Sequence, residues 1–466
     1  MEQDLIYSAL NSNRIIASPF VRPFISRTKR IHMKKNRNIS LGALALMIPA
    51  LATASDFFDQ SESSIRYAQY YWNEDPDDGF GPTRDEWVHA IQATFKSGYY
   101  AGIVGLDVSA ALAGDLNIGD DANSITNLSS DSNVQNPHGI GKLTEAYLRF
   151  QPLGEANPGL KLGLGKKARS RLQYADNTTR ILPSSTTGVD IDYTFDQGSV
   201  YLTQIQGFSP RNTSASSNKL TNFNGEEIDH LRIMGAKFNL PANFNVGFEY
   251  AESKDYLKSS LFNLNHSYTF ESNDKLTFSF KYGNQQDAGN LFEYSGAGPY
   301  AADNNHDASF YELGGKYSHG AYYLGASLTK VTGDDYDRVF FAEDHGTWSS
   351  AAKNFYWFGL EDEQMFKFSG GMSFADFGLP QLRWDAHYAF SDDAAGYDDF
   401  KRRELQSVLQ YRFDGPLKGL HLAWLHVEHD TEGTPDGVRR TALTFSSAGI
   451  ITHHADRLYL NYTVKF

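Results

Sequence analysis

The 466-residue chain contains no cysteine, so no disulfide framework braces it. Beyond Ala54 it contains no apolar stretch approaching the roughly 20 residues that a membrane helix needs, which excludes a helical span. It also lacks positive charge: residues 55–466 hold 34 Lys and Arg against 54 Asp and Glu, a net charge near −20 that argues against nucleic acid as a partner. The common signatures of catalysis are missing too. Gly163-Leu164-Gly165-Lys166-Lys167 has neither the upstream glycine nor the Ser or Thr of a phosphate loop. His453 and His454 are adjacent, so on a strand they face opposite sides and do not share a metal. No local Ser, His and acid arrangement selects a hydrolase. The expectation is a chain without catalytic residues, metal or cofactor.

Aromatic residues and strict alternation are abundant instead. The chain holds 27 Tyr and 32 Phe, more than its hydropathy calls for in a soluble domain, and aromatic girdles at a membrane interface would use them. The last segment alternates Leu458, Leu460, Tyr462, Val464 and Phe466 with Tyr459, Asn461, Thr463 and Lys465. Similar two-faced segments carry Phe244, Val246, Phe248 and Tyr250; Leu276, Phe278, Phe280 and Tyr282; and Trp384, Ala386, Tyr388 and Phe390. Each has one apolar and one wet face. At the other end, Lys34, Lys35 and Arg37 precede an apolar run from Ile39 to Leu51 and the small residues Ala52, Thr53 and Ala54. That is the pattern of a secretory signal peptide. Residues 1–54 are therefore an N-terminal extension plus signal, with the signal core at 33–54, and residues 55–466 form a single domain.

The connections alternate between tight and long. Tight returns fall at Ser97-Gly98, Asp196 to Gly198, Pro241 to Asn243, Ser272 to Asp274, His319-Gly320 and Asp414 to Gly419; long polar segments fall around 113–141, 169–186, 209–228, 285–306, 332–364 and 430–454. Short turns on one rim and long loops on the other define a transmembrane antiparallel β-barrel of about 18 strands, with the short turns periplasmic. A sandwich does not require that order. A barrel of this size has an aqueous lumen unless loops fill it, and no plug domain precedes the first strand near Ser64. The expected location is the bacterial outer membrane. Expected partners are small polar solutes, outer-membrane lipid and lipopolysaccharide, and the barrel assembly machinery through the strand ending at Phe466.

With the apolar set facing lipid, the opposite set contains Glu145, Arg149, Lys161, Lys167, Glu249, Lys275, Lys281, Arg383, Asp385, His387 and Arg412. Its cations, Arg149, Lys161, Lys167, Lys275, Lys281, Arg383 and Arg412, form a basic ladder that could pass anionic or hydroxyl-rich solutes from site to site. Mutual pairing of a polar wall accounts for each charge singly. The acidic clusters Asp75, Asp77, Asp78; Asp334, Asp335, Asp337; Glu361, Asp362, Glu363; and Asp392, Asp393, Asp398, Asp399 read first as solvated loops, with divalent-cation holding at a lipopolysaccharide surface or attraction of cationic solutes to the mouth as the alternatives; none has calcium-loop spacing. The segment from Arg169 to Thr187, with Arg169, Arg171, Tyr174, Asp176 and Arg180, is the expected constriction, and Arg180 is expected to line it. Trp348, Tyr356 and Trp357 offer rings for sugar stacking, or serve as interface anchors or loop packing.

Tyr70-Tyr71-Trp72, the stretch Phe95-Lys96-Ser97-Gly98-Tyr99-Tyr100-Ala101-Gly102, Gly105-Leu106-Asp107, Arg180-Ile181-Leu182-Pro183 and Gly235-Ala236-Lys237-Phe238 resemble the outer-membrane porins named OprD. The resemblance runs along nearly the whole of residues 55–466. It implies an eighteen-stranded porin for passive, substrate-selective uptake, with the ladder on Arg149, Lys161, Lys167, Arg383 and Arg412 and the constriction on the loop of Arg169 and Arg180. The first strands look more like the chitoporin branch than the amino-acid branch, and Ala423 and Leu425 beside His421 depart from the basic pattern of the latter. Chito-oligosaccharides are thus the leading solutes, with basic amino acids, peptides or carboxylates as the alternative. A non-conducting barrel acting as adhesin or enzyme is a further reading.

Overall fold

The computed structural model describes residues 55–76, 82–154, 157–292, 305–336, 339–343, 345–347, 349–436 and 450–466. The expected signal region, residues 1–54, lies outside the described residues. Eighteen strands form one sheet: Glu62–Pro76 (β1), Arg84–Lys96 (β2), Val104–Ile118 (β3), Ile140–Phe150 (β4), Leu160–Lys167 (β5), Ser185–Phe195 (β6), Gly198–Ser209 (β7), Leu231–Leu240 (β8), Phe244–Ser253 (β9), Leu257–Thr269 (β10), Lys275–Asp287 (β11), Asp307–His319 (β12), Tyr322–Gly333 (β13), Gln364–Phe374 (β14), Leu379–Asp392 (β15), Tyr397–Arg412 (β16), Leu420–Pro435 (β17) and Thr452–Lys465 (β18). Each pairs antiparallel with the next, and β1 pairs with β18 to close the barrel. At the seam Tyr67 sits opposite Tyr462. The amide of Ser63 donates to the carbonyl of Phe466 (3.1 Å) and the amide of Phe466 to that of Ser63 (3.0 Å), so the last residue completes the closure. Closure leaves no unpaired edge, which a sheet in hydrocarbon requires.

Alternation decides what each face meets. Leu458, Phe248, Leu313, Leu324, Phe368 and Trp424 are exposed on the outside, where a soluble protein would bury them. This outward apolar belt is the lipid face. The intervening positions point inward and are polar near the short-turn rim. The short turns use left-handed residues where the chain reverses tightly, as at Ala242 (φ 59°) and Asn243 (φ 61°). A five-residue helix, Ser55–Asp59 (α1), precedes β1 at that rim, where the carbonyl of Phe57 accepts from the amide of Gly98 at 2.9 Å.

The long-loop rim differs from the sequence reading in two places. The β9–β10 and β15–β16 connections are only residues 254–256 and 393–396, reversing at Asp255 (φ 58°) and Asp393 (φ 64°). Among the described residues, four other connections fold inward: those within 119–139 (L2), 168–184 (L3), 210–230 (L4) and 334–363 (L7). Their apolar residues make the core inside the barrel. Tyr174 of L3, Leu220 and Ile228 of L4, and Phe340 and Phe341 of L7 pack on Ile205, Phe208, Leu231 and Ile233 of the wall. Ile181 and Leu182 of L3 pack on Trp72, Val88 and Ala111, and Phe355 and Tyr356 of L7 on Val408, Leu425 and Val427. Each fully buried aliphatic side chain contributes about 1.5–3 kcal/mol, so the loops are held as firmly as an ordinary core. The two-residue ladder of Tyr174–Ala175 with Gly346–Thr347 ties L3 to L7.

Candidate functional site: a loop-narrowed lumen

Backbone amides in an inward loop have no ladder partners and need acceptors. Wall carboxylates supply them in adjacent pairs. Glu86 accepts from the amides of Thr126 and Asn127 of L2 (both 3.1 Å), and Glu249 from Leu172 (2.8 Å) and Gln173 (2.6 Å) of L3. Glu404 accepts from Phe355 (2.6 Å) and Tyr356 (2.9 Å) of L7, and Glu312 from the amide of Ala351 (2.7 Å) and the hydroxyl of Ser350 (2.6 Å). Such charge-assisted bonds are strong where water is excluded. Glu249 is therefore buried beneath L3, also accepting from the Tyr201 hydroxyl, and is not one of the carboxylates facing the solute path.

L3 carries all five residues expected at the constriction, in different environments. Arg169 is buried, with Nε 3.2 Å from an Asp190 oxygen. Arg171 reaches Asp192 (2.7 Å) and Asp190 (3.2 Å) with Nη1 and Nη2 and stays partly exposed. Asp190 also accepts from the hydroxyls of Tyr147 (2.7 Å) and Thr203 (2.8 Å) and lies 3.4 Å from Lys167 Nζ. Tyr174 is buried with its hydroxyl on Asp176 (3.0 Å), and Asp176 accepts further from the amide of Arg169 (2.8 Å) and the hydroxyl of Thr186 (2.9 Å). Burial pushes the Asp176 carboxyl up to about 6 despite these donors. Arg180 is only 3% exposed; its guanidinium lies 4.5 Å from the Trp72 ring, beside Glu74 and Glu86. It packs L3 against the wall, and Arg171 is the guanidinium of the loop that reaches water.

The seven ladder residues all lie in the inward phase of their strands. Four of them are paired: Arg149 with Asp107 (2.9 Å), Lys167 with Asp190 (3.4 Å), Lys281 with Glu312 (2.6 Å) and Arg383 with Asp385 (2.7 Å). In these pairs the cationic side chains are 16–35% exposed and the carboxylates 1–8%. The positive partner is the one that meets water. Asp192 is the counter-example, at 36% against 14% for Arg171. Lys161, Lys275 and Arg412 lie at the short-turn ends of their strands and make no ion pair among the described residues.

Two further wall cations lie outside the ladder expected from sequence: Lys316, whose ammonium lies 4.0 Å from the Tyr323 ring, and Lys367, which donates to Asn354 Oδ1 at 2.7 Å. Asp190 and Asp192 are likewise outside that set, although their alternation with Val189, Ile191 and Tyr193 carries the signal. Tyr356 and Trp357 are buried, Tyr356 against His429 and with its hydroxyl 2.5 Å from His453 Nδ1, Trp357 within the cluster of Phe310 and Phe358. Their packing between L7 and the wall leaves them no free face for stacking; Trp348 lies outside the described residues. Ala423 and Leu425 do face inward, and L7 covers Leu425. The loop acids are also not simply solvated: Asp334, Asp335 and Glu363 are buried, Asp335 accepting from the amide of Glu361 (2.5 Å) and Glu363 holding Arg402 (2.5 Å). Asp77, Asp78 and Asp337 lie outside the described residues.

A closed eighteen-stranded barrel with an apolar outer belt and a polar lumen narrowed by inward loops is an integral outer-membrane channel. The family model described as outer membrane porin, OprD family, matches residues 55–442, and the chain belongs to that family. It is 24% identical to the porin-like protein GalP of Pseudomonas putida over 396 residues, 82% of this chain and 90% of GalP. Among solved structures it resembles Acinetobacter baumannii OccAB2 (TM-score 0.75, 18% identity, 88% of this chain, 99% of that one). It also resembles Pseudomonas aeruginosa OpdK, solved with vanillate (TM-score 0.71, 18% identity, 88% and 100%). The family and the fold are those of channels.

Proposed function

We propose that this porin passes small carboxylates by passive, substrate-selective diffusion. The observation that carries this reading is the asymmetry of the wall pairs, in which the cation meets water and the carboxylate is covered. A solute carboxylate entering the lumen then meets exposed ammonium and guanidinium groups and exchanges one charge-assisted contact for the next. OpdK, which shares the fold, was solved with vanillate, a carboxylate. The chito-oligosaccharide reading stands second, because the described aromatic side chains of L7 are packed into its own core. Phe466, exposed at the short-turn rim, supports recognition of the last strand by the barrel assembly machinery.

Single channels in a planar bilayer test the reading. In a KCl gradient the reversal potential is expected to show preference for chloride, and benzoate to block the current in a concentration-dependent way while chitohexaose does not. Cation preference with block by the sugar alone would reverse the order of the two readings.

A further inference from the structure

We infer that the junction of β4, β5, L3 and L4 is a buried binding site for one small oxyanion, held by Lys142 and Lys166 with Arg211 alongside. Lys142 lies on β4 and Lys166 on β5, and Arg211 is the second residue of L4; all three are more than nine-tenths buried. Lys142 feels the charges of both Lys166 and Arg211. Three cations thus share one enclosed region where β4, β5 and the start of L4 meet.

The carboxylate that acts on both lysines is Asp176. Its oxygens are already occupied by the amide of Arg169 and the hydroxyls of Thr186 and Tyr174. Lys142 spends one donor on the carbonyl of Pro210, at 2.5 Å. Arg211 donates to the hydroxyl of Thr179. Among the described residues Lys166 Nζ, although closed from solvent, makes no hydrogen bond. A buried ammonium with three unused donors is costly, and an unsatisfied group of this kind marks a bound water or ion. With neighbours that are themselves cationic, an anion suits the position better than water does. Several acceptor oxygens are needed at once, which sulfate, phosphate or a carboxylate supplies and chloride does not. Such an anion would join L3 and L4 to the wall, since Lys166 and Lys142 belong to the wall and Thr179 and Arg211 to the loops. The inference does not depend on the solute that permeates.

Isothermal titration of sodium sulfate into the detergent-solubilised barrel, at fixed ionic strength in chloride, tests the site. The wild type is expected to show one saturable sulfate site. Lys166→Met, which keeps the apolar stem and removes the ammonium, is expected to weaken it at least about tenfold, and Lys142→Met similarly, while Lys166→Arg retains it. Heat-modifiable gel migration shows that each variant remains a closed barrel. Benzoate that displaces sulfate assigns the site to carboxylates as well; benzoate that does not restricts it to inorganic oxyanions. Both results keep the oxyanion site. No saturable sulfate binding by the wild type, or equal binding by Lys166→Met and Lys142→Met, overturns it and leaves water on the ammonium.

Discussion

The two sides of the lumen use their carboxylates differently. On the L3 side, Asp190 is surrounded by side chains, those of Arg169, Arg171, Lys167, Tyr147 and Thr203, and of the cations around it Arg171 and Lys167 still reach water while Arg169 is buried. On the opposite side, Glu404 is taken up by the amides of Phe355 and Tyr356 and flanked by His387 and His429, while Val408, Leu425 and Val427 receive the two aromatic rings. The first arrangement leaves net positive groups along the path, and the second converts wall charge into mechanical support for a loop. A wall residue's contribution to selectivity therefore depends on what it is bonded to, not on its sign.

The sharpest way to break the contrast is Glu404→Ala. It strands two backbone donors beneath L7, each at a cost of about 1–3 kcal/mol, and removes the acceptor that orders residues 355 and 356. The heat-modifiable transition is expected to fall and the single-channel conductance to rise, with little change in anion preference. An unchanged conductance would mean that the apolar contacts with Leu425 and Val427 hold L7 without the carboxylate.

Arg171→Ala should do the reverse. It removes the partly exposed guanidinium of L3 from Asp190 and Asp192, so the anion preference in a KCl gradient is expected to drop markedly while the barrel migrates normally. Arg180→Ala, in contrast, empties a contact with Trp72 and is expected to lower stability more than it moves the reversal potential. Selectivity that followed Arg180 and ignored Arg171 would restore Arg180 to the lining of the constriction.

That pair of residues also shows where sequence reasoning ended. Period-two alternation fixed which face of β18 meets lipid, because a one-residue slip would expose every wet side chain to hydrocarbon. It likewise put Arg149, Lys281 and Arg383 on the inside, and the turn residues marked the short rim. Within L3 no period exists, and the direction of Arg171 or Arg180 depends on Ile181 and Leu182 docking on Trp72 and Val88, contacts between segments far apart in the chain. For the same reason Glu249 read as a lumen charge: the amides of Leu172 and Gln173 that cover it belong to a loop whose path the alternation does not report. Tyr356 and Trp357 read equally as stacking rings or as packing, and the fold of L7 decides between them.

A smaller effect should separate the two sides by pH. The Asp176 carboxyl is held at about 6, above its ordinary 3.8, because burial disfavours the charge. A raised carboxyl contributes stability that is fully present below the unfolded value and lost as pH rises through about 6. Between pH 7.5 and 5 L3 therefore loses one negative charge, and the anion preference is expected to increase. Asp176→Asn should show the low-pH selectivity throughout, with no step; a step of the same size in that variant would assign the titration to another group.

The weakest effect belongs to the short-turn end, where Lys275 and Arg412 stand on the wall without ion pairs among the described residues. There the water-filled lumen screens each charge over about 8–10 Å at ordinary salt, and neither residue has a buried carboxylate to keep it in place. Lys275→Gln or Arg412→Gln is expected to shift the reversal potential in the same direction as Arg171→Ala but by much less, and the shift should vanish in 1 M KCl, where screening contracts to about 3 Å. If either matched Arg171→Ala in size and survived high salt, selectivity would be set along the whole ladder and the difference between the lumen's two sides would matter only for holding the loops.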